Sequence, residues 1–345
     1  SPFPGRGTLM ADTFVISCRN IRRGRFGAEP DRIRYLRVPK DADDILPKHE
    51  SSSKKRWRNG VITSANREID PLSDSCGDVL VFVHGYNNDT DVVLWRTRQL
   101  QADLNAVGWK GRVIAFDWSS DNSTLNYLED RDDASSVAIH LAREAVALLV
   151  DCQFPQDHDD EPCKMNVHLL GHSTGAYVIM EAFADAARKG EFFKKPWRIA
   201  QVAFIGGGGS RNSLSMQSDW SGPMYSRIMR LTNYSCGFDK ALAVSNAKRL
   251  GTSPRAGRVG LPDGSHHKAV NVDCSDYFQG KDPQQSVYRG SFTHSWHIGD
   301  DAFTLDLALT LEGEIDRHAI PTRRATNQGL ALRGDAARPQ FQDRW

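Results

Sequence analysis

The chain has 345 residues, 39% of them hydrophobic, and its 44 basic residues nearly balance 43 acidic ones, giving a formal net charge of +1. This composition indicates a globular protein with a full core and excludes a disordered chain, a collagen-like repeat and a small disulfide scaffold. The balanced charge lacks the basic excess of a typical nucleic-acid-binding protein, and no apolar stretch approaches the roughly 20 residues of a membrane span.

The beginning of the chain has no basic start followed by an apolar stretch, so it does not resemble an intact signal peptide. We interpret residues 1–11 as a cloning remnant or an N-terminal extension, with a native start at Met10. This predicts a cytoplasmic protein, and an exported protein that has lost its signal peptide is the alternative.

The six cysteines include no Cys-x-x-Cys pair, so no zinc or redox motif is expected. Cys152 and Cys163 bracket an acidic loop and could form a disulfide in an oxidising compartment, although free thiols fit a cytoplasmic chain better.

Eight segments are predicted to be β-strands. The first two alternate apolar and polar residues, whereas the last six are continuous apolar runs, which are typical of parallel strands buried on both faces. In chain order the eight are Thr13–Cys18, Arg32–Val38, Val79–Val83, Arg112–Phe116, Met165–Leu170, Ala200–Ile205, Ile228–Thr232 and Ala269–Val272. The polar stretch 39–76 predicts a long surface excursion with one short strand at Gly60–Thr63.

Four segments are predicted to be helices. Apolar residues recur at helical spacing in 91–106, 134–150 and Asp300–Leu311, and Thr174–Ala187 is apolar almost all round, which predicts a buried helix. Strands alternating with helices predict the α/β class, with a doubly wound, mostly parallel sheet that carries helices on both faces. We expect one domain over residues 12–317, which includes the surface excursion and an insertion at 152–163. Residues 318–345, rich in Arg, Gln, Asp and Pro from Ile320 onward, are predicted to be a C-terminal tail, either a surface extension or a partly disordered segment.

The strongest chemical signal is the sequence Gly171-His172-Ser173-Thr174-Gly175, a G-x-S-x-G motif. A predicted strand enters it and a predicted helix leaves it, which is the context of a sharp turn that exposes a nucleophilic serine above a sheet. The flanking glycines leave room for the turn, and the helix N-terminus favours developing negative charge. Ser173 is therefore the candidate nucleophile.

A serine nucleophile needs a base, and in this kind of site the chain order is Ser, then Asp or Glu, then His. His294 is the favoured base, because it lies in a loop between the last predicted strand and the last predicted helix. His297, three residues later, is its main competitor. His266 and His267 precede the last strand, at the opposite end of the sheet, and are expected in a solvated loop.

An acid must hold the histidine in its productive tautomer. Asp239 is favoured, because it lies just beyond the predicted strand at 228–232. Asp273 and Asp276 follow the next strand and are the alternatives. The glycine run 206–209, after the preceding strand, offers no carboxylate and so removes one rival position.

Two backbone N–H groups are candidates for an oxyanion hole, the set of donors that stabilises a tetrahedral oxyanion. One belongs to Thr174, directly after the nucleophile. The other belongs to Tyr86, in the loop after the strand at 79–83, where Gly85 allows a tight turn.

These residues resemble the α/β-hydrolase superfamily and, more narrowly, a bacterial subfamily long catalogued as a domain of unknown function. The resemblance covers roughly residues 12–312. It rests on Phe82–Asn87, Ala115–Trp118, Gly171–Gly175, Asp239–Leu242 with Ser245 and Arg249–Gly251, and His294–Trp296. The resemblance implies Ser173, Asp239 and His294 as a catalytic triad, in agreement with the chain-order argument. The glycine run and the cysteine-bracketed insertion depart from the family pattern and bear on the shape of the pocket rather than on the triad.

The expected activity is hydrolysis of a carboxylic ester through an acyl-serine intermediate, with a small-molecule substrate and no metal or other cofactor. Aromatic residues above the strand ends are candidate walls for an apolar substrate group: Tyr86, Trp118, Tyr127, Trp220 and Trp296. The segments Asp117–Asp132 and Ser210–Tyr225 are candidate caps, too short for a large lid, so a fairly open site is expected. The alternatives are amide, thioester or lactone hydrolysis or acyl transfer on the same residues, and a non-catalytic binding protein of the same fold.

Overall fold

The computed structural model describes residues 11–72, 75–120, 165–190, 197–247 and 253–340. Three predictions fall entirely outside these residues: the helix at 134–150, the insertion between Cys152 and Cys163, and Tyr127 as a pocket wall. Residues 121–132 of the candidate cap Asp117–Asp132 also fall outside them. Within the described ranges, no helix is long and apolar enough to cross a bilayer.

One sheet of ten strands runs through the described residues. In chain order the strands are β1 (Thr13–Arg22), β2 (Arg25–Val38), β3 (Asp78–Val83), β4 (Gly111–Asp117), β5 (Val167–His172), β6 (Ile199–Ile205), β7 (Ile228–Ser235), β8 (Ala269–Asp273), β9 (Arg323–Thr326) and β10 (Gly329–Leu332). Their spatial order is β2-β1-β4-β3-β5-β6-β7-β8-β10-β9. All the inner strands are parallel, and the edge strands β2 and β9 run antiparallel to their neighbours.

Helices cover both faces of this sheet. In the described residues they are α1 (Lys54–Ala65), α2 (Thr90–Ala106), α3 (Thr174–Lys189), α4 (Gly222–Arg227), α5 (Lys240–Ala247), α6 (Ala256–Val259), α7 (Ser275–Gln279), α8 (Phe292–Ser295) and α9 (Asp301–Glu312), with 3-10 turns at Pro47–His49, Asn66–Glu68 and Arg211–Leu214. On β3, Val79, Val81 and Val83 face a core shared with α1 and α3. Leu80 and Phe82 face a second core, shared with α2 and α9. The predicted α/β class, with a doubly wound, mostly parallel sheet, is confirmed.

The predicted strand at Gly60–Thr63 is wrong, because these residues lie inside α1. Trp57, Val61 and Ala65 recur at helical spacing and bury one face of this helix. The charged and polar residues between them hid that spacing in the sequence. The stretch 39–76 therefore contributes a helix to the core and is not only a surface excursion.

The predicted C-terminal tail is wrong over residues 323–332, which form β9 and β10 and extend the sheet. Arg323 reaches from β9 to Asp306 on α9, where Nη2 lies 2.6 Å from Oδ1 and both side chains are fully buried. Burial alone would raise the pKa of the Asp306 carboxyl, but the charge and hydrogen bonds of Arg323 outweigh it and hold that pKa below its usual range. A segment that looks polar in the sequence is thus anchored by a buried ion pair.

Arg323→Met is expected to lower the free energy of unfolding by about 3–5 kcal/mol, because it leaves the buried Asp306 carboxylate without its positively charged partner. The measurement is urea unfolding followed by circular dichroism. The matched control is Arg324→Met, since Arg324 is half exposed and pairs on the surface with Asp276. That change is expected to cost less than about 1 kcal/mol. Equal losses in the two variants would show that the buried ion pair contributes no more to stability than the surface pair.

Candidate functional site

The carboxyl ends of β3, β5, β6 and β7 lie side by side at one end of the sheet. The register pairs Val83 with Gly171, His172 with Ile205, and Ile205 with Tyr234. The loops that leave these strands therefore start at the same level, where ligands of parallel α/β sheets bind. These loops carry Gly85–Asn88, Ser173, the glycine run 206–209 and Asp239.

Ser173 occupies the turn between β5, which ends at His172, and α3, which begins at Thr174. Its backbone has φ 56° and ψ −123°, a conformation that residues other than glycine rarely adopt. The Ser173 amide donates to Ile205 O at 3.0 Å, and its carbonyl accepts from Gly208 N at 2.9 Å. The predicted strand-to-helix turn is present, with the serine at the N-terminus of a 16-residue helix.

Close backbone contacts explain three of the glycines around this turn. A Cβ at Gly171 would lie 2.8 Å from the backbone of the following helix, and one at Gly175 would lie 2.1 Å from Val83 O. A Cβ at Gly85 would lie 2.7 Å from the Cβ of Ser173. The loop after β3 therefore packs directly against the candidate nucleophile.

Asp239 and His294 are in direct contact, with Asp239 Oδ2 2.6 Å from His294 Nδ1. Asp239 immediately precedes α5, and its Oδ1 accepts the Leu242 N–H at 2.9 Å, which fixes the carboxylate. His294 lies in α8, where the neighbouring Thr293 hydroxyl accepts the Lys240 N–H at 3.3 Å. Because Asp239 occupies Nδ1, Nε2 is the ring nitrogen of His294 that is available for proton transfer.

Four consecutive glycines lie between the candidate nucleophile and the aspartate–histidine pair. A Cβ at Gly206, which has φ +53°, would lie 2.9 Å from His294 Cε1 and 3.4 Å from Asp239 Oδ2. A Cβ at Gly208 would lie 3.2 Å from Ser173 O. The run thus brings bare backbone against both halves of the site, which accounts for glycine at two of its four positions.

The loop after β3 is held by the buried side chain of Asn88. Its Nδ2 donates to Gly85 O at 2.7 Å and to Tyr86 O at 3.2 Å. Tyr86 follows the glycine that packs on Ser173, and Thr174 follows Ser173 itself. Of the two residues predicted to supply oxyanion donors, Thr174 is bonded to the candidate nucleophile and Tyr86 is bonded to the glycine that packs on it.

Trp118 and Trp296 are wrong as pocket walls, because their side chains are 0% and 1% exposed. The Trp118 indole donates to His84 O at 2.9 Å. The Trp296 ring stacks on His297 with 4.1 Å between ring centroids. A position at the end of a strand does not show whether a side chain points to the core or to the solvent, and here both indoles point inward.

Trp220 and Tyr86 are half-buried and remain candidate walls. Trp220 lies in the predicted cap at 210–225, and its indole donates to Glu181 Oε2 on α3 at 2.6 Å. Its ring also packs on Tyr177 of the same helix, with 4.8 Å between centroids. This part of the cap is therefore attached to the helix that follows the candidate nucleophile.

The alternative base, His297, and the alternative acids, Asp273 and Asp276, differ from the favoured pair in burial or in the groups they contact. His297 is 1% exposed, so its ring is out of reach of a substrate. Burial also lowers the pKa of His297 to about 3, so the ring stays neutral. Asp273 accepts the Ser275 N–H at 2.9 Å, and Asp276 accepts from Arg324 Nη2 at 2.7 Å. In the part of the chain that the structure describes, no group of three or more His, Cys, Asp or Glu is arranged to hold a metal ion.

Two buried polar residues that the sequence predictions missed also adjoin the site, Asn88 and Arg96. Arg96 lies in α2, in the run Arg96-Thr97-Arg98-Gln99. Four successive residues cover a full helical turn, so such a run must place polar groups on the buried face. This was the signal available in the sequence.

The observed fold agrees with the chain's match to a known protein family. A family model described as alpha/beta hydrolase of unknown function (DUF900) matches residues 63–268. Among solved structures, the chain is similar to a "putative cell surface hydrolase" from Lactobacillus plantarum WCFS1, with 12% identity over 71% of this chain and 94% of that one and a TM-score of 0.37. It is also similar to a Trichoderma reesei cutinase in complex with a phosphonate inhibitor, with 12% identity, coverage of 76% and 87%, and a TM-score of 0.27. No curated protein matches the chain. At these TM-scores the structural similarities support no functional argument, and the family match carries the assignment.

Proposed function

The chain belongs to the family of alpha/beta hydrolases of unknown function (DUF900), and we propose that it is a serine hydrolase that cleaves a carboxylic ester. The observation that carries the proposal is the 2.6 Å contact between Asp239 Oδ2 and His294 Nδ1. It forms at the end of the sheet where Ser173 occupies its strained turn. A nucleophile, a base and an acid that orients the base are the groups that acyl transfer to a serine requires.

In the proposed reaction, Ser173 Oγ attacks the ester carbonyl carbon while His294 Nε2 takes the hydroxyl proton. The carbonyl oxygen becomes an oxyanion, and the C–O bond to the alcohol then breaks as His294 returns the proton to the leaving oxygen. The acyl group is left on Ser173. A water molecule then attacks the acyl carbon while His294 takes its proton. The bond between that carbon and Ser173 Oγ breaks, His294 returns the proton to Oγ, and the acid is released.

Two features support stabilisation of the oxyanion at this place. The amides of Tyr86 and Thr174 are the proposed donors, and each donor of this kind contributes about 2.7–4 kcal/mol to lowering the barrier. Ser173 stands at the N-terminus of α3, whose dipole favours negative charge there. The mechanism needs no metal or organic cofactor, because each proton and each charge is handled by these groups.

A fluorophosphonate probe tests the proposal, because it modifies a serine only where a base activates it. The expected result is one label on Ser173, located by mass spectrometry of the full chain, and no label on Ser173→Ala. Unfolded protein is the second control, since it keeps every serine but not the site. A folded wild-type chain that takes no label would refute the proposal and would favour a non-catalytic binding protein.

The class of substrate is tested separately on matched p-nitrophenyl esters, anilides, thioesters and lactones. Under the proposal, esters are turned over with the highest kcat/KM, and addition of an alcohol gives little transesterification compared with hydrolysis. A higher kcat/KM for one of the other classes would keep the triad and replace the ester assignment. Substitution of Tyr86 or Trp220, the proposed pocket walls, is expected to change KM for esters with long or aromatic acyl groups more than it changes kcat.

Gly206→Ala is expected to lower kcat for a p-nitrophenyl ester by about 10²-fold, because its methyl group displaces the His294 ring by roughly an ångström. The control is Gly264→Ala. Gly264 also has a positive φ, of +73°, but a Cβ there would meet nothing within 4 Å. Both changes add similar backbone strain, so a similar fall in kcat in both variants would contradict the steric argument.

A further inference from the structure

Arg96 on α2 is a buried cation that the proposed mechanism does not use. Arg96 is only 3% exposed. Burial, followed by the nearby charge of Arg289, lowers its pKa to about 10. Within the described ranges no carboxylate contacts it, although buried arginines are normally paired with one. A costly arrangement of this kind calls for a functional explanation.

The guanidinium joins three loops that must converge for catalysis. Nη1 donates to Asn88 Oδ1 at 2.9 Å, in the loop after β3, and lies 3.3 Å from His172 Nδ1, directly before the nucleophile. Nη2 donates to Arg289 O at 2.8 Å and to Ser295 Oγ at 3.1 Å, in the segment that carries the candidate base. One planar group thus reaches the oxyanion loop, the nucleophile turn and the histidine loop.

The contact with Asn88 bears on the direction of the oxyanion donor. Asn88 accepts from Arg96 through Oδ1 and donates through Nδ2 to Gly85 O at 2.7 Å. The carbonyl of Gly85 and the N–H of Tyr86 belong to the same planar, trans peptide unit and point in opposite directions. When Asn88 holds that carbonyl on its own side, the Tyr86 N–H is turned to the other side.

The contact with His172 bears on the position of the base. Arg96 has only donors, so His172 Nδ1 must be the acceptor and the ring proton must sit on Nε2. His172 Nε2 then donates to the backbone carbonyl of His294 at 3.1 Å. Burial, then the charges of Arg96 and His294, hold the pKa of His172 well below its usual range, so the ring stays neutral in this tautomer.

We propose that Arg96 is a positioning residue that sets the relative placement of the Tyr86 amide, Ser173 and His294. The proposal rests on the proposed serine-hydrolase function. Its physical basis is the planar fork of the guanidinium, which serves four acceptors in fixed directions. A lysine carries the same charge on a single nitrogen and cannot serve the same four acceptors.

The test compares Arg96→Lys and Arg96→Gln with the wild type, using the fluorophosphonate probe at several concentrations. Such data separate the maximal rate constant of modification from the probe concentration that gives half of it. The maximal rate constant is expected to fall by about 10²-fold in both variants, with little change in the half-saturating concentration. A merely structural role would instead reduce the fraction of chains that can be labelled and leave the rate constant of the folded ones unchanged.

Arg98 provides the matched control on the same helix. It is also buried, and its guanidinium donates to Pro39 O and Ala42 O, both at 2.7 Å, away from the site. Arg98→Lys is expected to label at the wild-type rate constant. If the Arg96 variants do not fold, Ser295→Ala removes one of the four acceptors and is expected to slow labelling by about 10-fold, in keeping with a smaller misplacement.

The outcomes separate the two proposals. A wild-type chain that takes no label refutes the serine-hydrolase function itself. A wild-type chain that is labelled, with Arg96 variants labelled at the same rate constant, overturns only the positioning role. An equal fall in Arg98→Lys also overturns it, because the effect would then follow from any buried arginine of α2.

Discussion

His294→Ala is expected to lower kcat for a p-nitrophenyl ester by about 10⁶-fold, as removal of a triad base does in a known serine protease. Without the imidazole, Ser173 keeps its proton and stays a poor nucleophile, and the leaving alcohol receives no proton. The oxyanion donors and the binding of the substrate still act, so a small rate above that of water should remain. The measurement is steady-state hydrolysis, with circular dichroism to show that the fold is retained.

His266→Ala is the control for this prediction. His266 stacks on Tyr225 with 4.4 Å between ring centroids, outside the loops that carry the candidate site. Its removal is expected to leave kcat within about twofold, because the half-buried His266 ring contacts Tyr225 and His267 rather than the candidate triad. A small loss in His294→Ala, together with a large loss in His297→Ala, would assign the base to the buried histidine and would require that its ring become accessible.

Asp239→Asn is expected to lower kcat by about 10⁴-fold with the fold retained, as the equivalent change does in a known serine protease. The asparagine amide can offer a donor to His294 Nδ1, which favours the tautomer with the proton on Nε2 and removes the base. Its carbonyl oxygen can still accept the Leu242 N–H, so α5 keeps its N-terminal hydrogen bond. The measurement is kcat, with the thermal midpoint as the check on folding.

Asp273→Asn is the control for the acid, because Asp273 ends the neighbouring strand β8 and was the rival at the sequence level. It is expected to retain kcat close to the wild-type value, since its carboxylate accepts from Ser275 rather than from His294. Near-normal turnover in Asp239→Asn, with loss in Asp273→Asn, would move the acid to the end of β8.

Much of the fold was predictable because it leaves a local trace in the sequence. The six apolar runs became inner strands, since strands covered by helices on both faces have no solvent side. The G-x-S-x-G motif was recognisable for a similar reason, because its close contacts exclude side chains at Gly171 and Gly175. The resemblance to the α/β hydrolases is confirmed by the family match over residues 63–268.

The two errors in secondary structure have a common cause, which is that the composition of a segment hides the burial of its single positions. α1 looked polar because three buried residues were spread among nine others. β9 and β10 looked like a tail because the residues around them are rich in Arg, Gln, Asp and Pro, although four of their eight residues are buried, including Arg323 against Asp306. In both segments the burial comes from another element: Trp57 of α1 packs on Phe14 of β1, and Arg323 of β9 pairs with Asp306 of α9.

The sequence by itself determined the α/β class, the turn at Ser173 and the chain order in which an acid and a base must follow, because each depends on local spacing. Only the tertiary structure decided that Asp239 rather than Asp273 contacts His294, that Trp118 and Trp296 point inward, and that Arg96 links three loops. The deciding contacts join different elements, and Asp239 and His294 are 55 positions apart, whereas Arg96 and Ser295 are 199 apart. Their geometry depends on how the sheet aligns its strand ends, and spacing along the chain carries no record of that alignment.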